Sequence, residues 1–179
     1  MNTYLNRMLR AAKLDAHLYE EVEADRSAMG QALGVVVLSS VAAGIGSISQ
    51  GSGMAFIGGI LAALISWFVW AYLTYFIGTR LLSTPQTHSD YGQLLRTIGF
   101  SSAPGLIRIV GIIPGLRVLA FLVAGIWMLA AMVIAVRQAL DYESTWRAVG
   151  VCAIGWVIQV VVMSLIAALF GIGGQPSGT

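Results

Sequence analysis

Cysteine, proline and charge are all scarce in this sequence. A single cysteine, Cys152, rules out an intramolecular disulfide; it sits in an apolar run and reads as a small buried hydrophobe. Charged residues make up 10% of the 179 and hydrophobic ones 58%, with a mean hydropathy of +0.82. A soluble surface cannot be built from that composition. No CxxC pair, phosphate-cradling glycine loop or nucleophile elbow occurs, and the few basic residues form no nucleic-acid motif. The sequence therefore points away from an enzyme, a nucleic-acid binder or a disulfide scaffold, and no cofactor is expected. The eight acids all lie outside the apolar runs. Asp15, Glu20, Glu21, Glu23 and Asp25 precede the first such run, which argues against a cleaved signal peptide.

What remains is an all-α, polytopic membrane helix bundle. Apolar runs at residues 30–48, 54–77, 92–116, 118–136 and 148–170 predict five spans, each near the roughly 20 residues that cross a bilayer. Residues 1–29 form a cytoplasmic segment in which Leu5, Met8, Leu9, Ala12, Ala16, Tyr19 and Val22 recur at helical spacing. This predicts one amphipathic helix from residue 3 to 25, packed on its own bundle. Its basic first half suits anionic headgroups, and its acidic second half suits basic loops of the same protein. Turns are expected at 49–53, 80–90 and 137–147, and residues 172–179 form a mobile tail. Gly30 and Gly34 on the first span, and Gly58, Gly59 and Ala62 on the second, are the candidate helix-packing positions, because small residues let helices approach closely in lipid.

The third span is interrupted by Pro104 and Pro114 and carries Arg108. A cation at mid-helix costs about 2.5–3.5 kcal/mol on insertion scales, so Arg108 needs a reason. Either the guanidinium ties off carbonyls freed by the prolines or reaches outer headgroups, or it binds an anion or lipid headgroup between helices. Ser101, Ser102 and Pro104 complete this candidate polar site. The inner segments of a five-span chain hold Arg7, Arg10, Lys13, Arg26, Arg80, Arg96, Arg137 and Arg147, against Arg117 outside. That asymmetry predicts a multi-pass cell-membrane protein with its N-terminus cytoplasmic and its C-terminus exterior. A re-entrant third segment gives four spans with almost the same asymmetry; the full length of residues 97–116 favours five.

Counting depth along each span at about 1.5 Å per residue places Ser39, Ser40, Ser66, Trp67, Trp127, Trp156, Ser101 and Ser102 in one layer near the midplane. Gln159 lies one turn beyond. Tryptophan prefers the interface, where its N–H finds an acceptor. Three at mid-depth are therefore expected to point inward, at least two of them with a serine, Gln159 or a free carbonyl in reach. His17, Glu20 and Glu21 have ligand-like spacing on one helix face, and His88 and Asp90 flank Ser89; both read as ordinary polar surface, so no metal or catalytic residue is assigned.

The run LYEEVEAD before the first span, then YGQLLRTIGFSSAPGLI, IIPGL and AGIWMLAAMVIAVRQAL, together resemble the bacterial branch of the Yip family of five-span membrane proteins. The resemblance covers roughly residues 14–155. It implies a cytoplasmic N-terminus, five helices and a non-enzymatic role; eukaryotic relatives contact small GTPases and each other. Where relatives of that branch carry an Asp-Leu-Tyr-Gly-Pro type motif, this chain has His17-Leu18-Tyr19-Glu20-Glu21, which weakens the case for a GTPase partner. The first expectation is an integral membrane adaptor or organiser that associates with itself or another membrane protein through its helices. The alternative is a carrier or channel for a small anion or lipid built around Arg108. A continuous cavity reaching Arg108 would favour the alternative, and a dry bundle with exposed small-residue stripes the adaptor.

Overall fold

The computed structural model describes residues 3–47 and 53–170. The turn expected at 49–53 lies almost wholly outside them, and the tail 172–179 entirely so. The described chain is all-helical: α1 (Thr3–Ala12), α2 (Ala16–Ala24), a 3₁₀ turn (Arg26–Ala28), α3 (Met29–Gly46), α4 (Gly53–Phe76) extended by a π turn (Ile77–Leu81), α5 (Tyr91–Phe100), a 3₁₀ stretch (Ala103–Ile112), α6 (Arg117–Ala139) and α7 (Thr145–Phe170). Four helical segments are long and apolar enough to cross a membrane: Arg26–Gly46, Phe56–Leu81, Arg117–Ala139 and Thr145–Val162. Their outer faces carry Ile57, Leu61, Ile65, Leu122 and Ile126, all exposed, as suits hydrocarbon rather than water.

The N-terminal segment departs from expectation. It is two helices, broken where Leu14 takes a positive φ of 62° and Asp15 accepts from the His17 N–H to start α2. The break lets the basic and acidic halves face each other. Arg7, only 8% exposed, bonds Glu21 at 2.8 Å and Asp25 at 2.8 Å, while Arg10 bonds Asp15 at 2.7 Å and Glu21 at 2.6 Å. Both guanidinium groups of α1 are thus bonded to acids of α2 and its boundaries. α1 then lies across the 3₁₀ stretch, with the Tyr4 hydroxyl over Gly34 of α3 and the Ala12 carbonyl accepting from the Trp127 indole of α6 at 2.8 Å.

The segment between the second and third long helices starts on a capping box: Asp90 accepts from the Gln93 N–H and the Gln93 side chain accepts from the Asp90 N–H, a device worth about 1 kcal/mol. α5 ends in a turn at Ser101 and Ser102. Pro104 falls in the first turn of the 3₁₀ stretch, where its missing N–H costs nothing. This backbone runs parallel to α3 at close range, and glycine makes that possible. A Cβ on Gly99 would stand 2.7 Å from Ala32, one on Gly105 would collide with the Ser39 hydroxyl, one on Gly46 with the Arg108 carbonyl, and one on Gly111 would lie 3.0 Å from the Gly46 carbonyl. From Ala32 to Gly46 an α-helix rises about 21 Å, and from Gly99 to Gly111 a turn plus 3₁₀ backbone rises about 22 Å. The two climb together. α6 returns beside them, with Phe121 against Gly111 and Met128 against Gly105.

Two buried side chains fix the end of the bundle where α2 sits. Arg96, 5% exposed, donates to the Val22 carbonyl at 2.9 Å and to the Glu23 carbonyl, capping the last turn of α2. Tyr142, in the α6–α7 connection, donates its hydroxyl to carbonyls at both ends of the π turn, Gly78 at 3.0 Å and Leu82 at 2.9 Å. The loop expected at 80–90 thus begins two residues late, after the π turn.

Candidate functional site

α4 and α7 touch where Trp70 and Ile77 meet Gly155, and separate from there. Among the described residues, none of α4 before Trp67 and none of α7 after Gly155 is buried. The space between them, backed by α3, the 3₁₀ stretch and α6, is a cavity of roughly 1010 Å³. Its walls are mainly apolar, with Val36, Phe56, Met128, Met132 and Val133 among them, and its polar groups are few: serine hydroxyls, Gln159 and the Arg108 guanidinium. That is the composition of a small-molecule pocket, at the upper end of the usual size range of about 300–1,000 Å³.

Arg108 hangs from the 3₁₀ stretch toward α3. Its Nε donates to the Gly105 carbonyl at 3.0 Å, and Nη2 to the Ser39 carbonyl at 3.2 Å and the Ser39 hydroxyl at 2.6 Å. A guanidinium has five N–H donors, and Nη1 has no partner among the described residues. No acid lines the cavity, and the eight acids of the chain all lie on α2, at its boundaries, before α5 or in the α6–α7 connection. The positive charge therefore faces a low-dielectric space uncompensated, where an anion would bind more strongly than in water. The guanidinium ties off carbonyls of Gly105 and Ser39, and it points into the bundle and not to the outer boundary. A second donor is present: the indole N–H of Trp70 is buried without a partner among the described residues, and Trp70 lines the same cavity.

Of the residues placed at mid-depth by counting, Ser39, Ser40, Ser66, Trp67, Ser102 and Trp156 line this cavity together with Gln159 and Arg108. Trp67 is buried and donates to the Leu95 carbonyl at 3.0 Å. Trp127 is turned away to the Ala12 carbonyl. Both indoles use backbone carbonyls, one of the three kinds of acceptor expected for them. Ser101 is buried and bonds the Ile98 carbonyl at 2.7 Å, and Pro104 is packed in the first 3₁₀ turn; neither reaches the cavity wall. Trp156, expected inward, is 64% exposed and stands at the cavity mouth, because α7 leaves the bundle one residue earlier. Gly34 packs against Tyr4, whereas Gly30, Gly58 and Gly59 have nothing within 4 Å of a Cβ and Ala62 is exposed. These four make no close helix contact among the described residues. Reasoning from sequence missed Met128, Met132 and Cys152, for which the uniformly apolar helices give no face signal.

The polar residues outside the membrane segments take structural roles. His17 meets Glu20 at 3.4 Å on an exposed face, but Glu21 turns to Arg7 and Arg10, so the three do not converge. Glu23 is half-buried beneath α5. Burial, reinforced by Asp141, Glu20 and Asp90 and opposed by Arg96, pushes its carboxyl up to about 7. Bonds from Arg7 and Arg10 hold Glu21 below the usual carboxylate range, and the bond from Arg10 does the same for Asp15.

Compared with known proteins, the chain matches the Yip1 domain over residues 17–166, a stretch that takes in α2 to α6, most of α7 and every residue lining the cavity. No curated protein and no solved structure matches it.

Proposed function

The chain belongs to the Yip1 domain family, and from that premise we propose that it is a non-enzymatic integral membrane carrier that holds an anionic group on Arg108 inside the helix bundle. The observation that carries this reading is the unspent Nη1 of Arg108 in a cavity without an acid. Adaptor activity was the first expectation from sequence; the cavity reaching Arg108 supports the carrier reading. The reading includes five crossings of the cell membrane, with the N-terminus cytoplasmic and the C-terminus exterior. Support for the fifth crossing comes from α5 and the 3₁₀ stretch, which climb beside α3 for most of its length, as a re-entrant loop would not. Support for orientation comes from the arginines of the α1–α2, 80–96 and 137–147 segments.

The test is stabilisation by anions. Purified protein titrated with a short alkyl phosphate and with the matching neutral alcohol should be stabilised by the phosphate alone, by about 2.7 kcal/mol at a hundred times Kd. Arg108→Gln should abolish the effect. Equal stabilisation by the alcohol, or an unchanged response in the variant, would refute the anion site.

One observation favours helix association as a second reading: Gly58, Gly59 and Ala62 form an open stripe on α4, the kind of surface on which membrane helices pair. Its partner would be a second copy or another membrane protein. Gly58→Leu with Gly59→Leu should then dissociate an oligomer in detergent; a wild-type protein that is strictly monomeric, with nothing co-purifying, would end that reading.

A further inference from the structure

We infer that the ligand is an acyl lipid with an acidic phosphate headgroup, which reaches Arg108 sideways from the bilayer through the gap flanked by α4, α6 and α7. This rests on the reading of Arg108 as the anion site and adds the source and shape of the anion.

Three observations support it. The first is the mouth. Residues that line the cavity and are also exposed mark where it opens; these are Gly59 on α4, Gly125 and Leu129 on α6, and Ala153 and Trp156 on α7. All are apolar or without a side chain, and they lie in the segments whose neighbouring surface is Leu61, Leu122, Ile126 and Val157. Such an opening meets hydrocarbon, so a hydrated anion crossing it would lose its water with no compensating charge on the way. An acyl lipid is already there.

The second is size. The cavity's roughly 1010 Å³ compares with about 30 Å³ for a water molecule in the liquid, and an inorganic oxyanion is a few such volumes. It would leave Val36, Met128, Met132, Val133 and Trp156 facing empty space. An acyl chain covers them, and methionine adapts to a flexible ligand at little cost.

The third is the placing of polar groups. Arg108 and Ser39 stand at the back wall, with Ser40 and Ser102 among the lining residues, while the mouth has no charge. One end of the cavity is built for an anionic head and the other for a tail, a division that fits an amphiphile. Phosphate suits the guanidinium because its oxygens accept the N–H bonds that Nη1 still has to give.

The experiment reconstitutes the full chain in phosphatidylcholine vesicles doped with phosphatidic acid, extracts it in mild detergent and counts retained lipids by native mass spectrometry. Wild type should keep phosphatidic acid in preference to phosphatidylcholine. In Arg108→Gln that preference should fall about tenfold, the loss of one charge-assisted contact. Gly125→Leu, which fills the mouth at a position with nothing within 4 Å of a Cβ and leaves Arg108 untouched, should lower retention of the lipid while the protein stays folded by circular dichroism. Inorganic phosphate should neither displace the lipid nor stabilise lipid-free protein. If inorganic phosphate does both and Arg108→Gln abolishes it, the anion site stands and the lipid is wrong. If the preference survives in Arg108→Gln, the headgroup is not on Arg108. If neither lipid nor phosphate binds, both this inference and the anion site fail.

Discussion

Gly46→Ala tests the contact on which the architecture of the site depends, because one methyl group is enough to part α3 from the 3₁₀ stretch. The added Cβ would collide with the backbone carbonyl of Arg108 and stand 3.2 Å from the Phe121 ring. A flexible side chain could yield; a carbonyl in a packed helix cannot without moving the segment. Overpacking of this kind costs about 1–3 kcal/mol, against which alanine recovers up to about 1 kcal/mol of helix propensity. The net expectation is a loss of about 1–2 kcal/mol, a fall of roughly 2–8 °C in melting temperature for a chain of this size. Gly58→Ala is the matched control: it makes the same change within α4, where nothing lies within 4 Å, and should be neutral or stabilising by up to about 1 kcal/mol. Thermal unfolding of both variants in one detergent, followed by circular dichroism, measures the difference. Because the struck carbonyl belongs to Arg108, Gly46→Ala should also weaken alkyl phosphate stabilisation. If Gly46→Ala were as benign as Gly58→Ala, the 3₁₀ stretch would not lie against α3, and the parallel climb would be lost with it.

Three further outcomes follow from the same geometry. A reporter fused after Thr179 should appear outside the cell and one inserted in residues 83–89 inside; a cytoplasmic C-terminus would replace the fifth crossing by a re-entrant segment. Glu23 is raised to about 7 in the folded protein, so the folded state holds this proton more tightly than the unfolded chain, and its contribution is full below the ordinary carboxylate range and lost as pH rises through about 7. Glu23→Gln should accordingly flatten the decline in melting temperature between about pH 5 and about pH 8, and an unchanged slope would assign that decline to other groups. Arg7→Ala leaves Glu21 and Asp25 without their shared partner; limited proteolysis between α1 and α2 should speed up several-fold, and cleavage at the wild-type rate would show that the Arg10 pairs and the Trp127–Ala12 bond hold α1 without it.

The apolar runs revealed the four long helices, and cost arguments singled out Arg108, because hydrophobic length and the expense of a buried cation are properties of the chain itself. Depth counting put Ser39, Ser66 and Trp67 in one layer, and these three line one cavity, because rise per residue does not depend on neighbours. Rotation does. α4, α6 and α7 are apolar on every side, so nothing in their sequences told Trp67, which turns inward, from Trp156, which does not. Arg96 was counted as a topology marker, yet it is buried and caps α2, since a carbonyl 74 residues away leaves no trace in sequence. The split of the N-terminal segment was hidden because Leu14, and not glycine or asparagine, takes the left-handed turn.

The bond between Trp127 and Ala12 spans 115 positions, and this has a consequence for how the protein is made. The ion pairs of Arg7 and Arg10 join residues 5 to 18 positions apart and can close while the chain is still short. Arg96, Trp127 and Gln138, which hold α1 and α2 to the bundle, leave the ribosome only after two long helices have been synthesised. At about 5–20 residues per second, α1 and α2 wait several seconds as an ion-paired hairpin before these three contacts can close. The pairing of Arg7 and Arg10 with Glu21 gives α1 a folded partner in α2 throughout that wait.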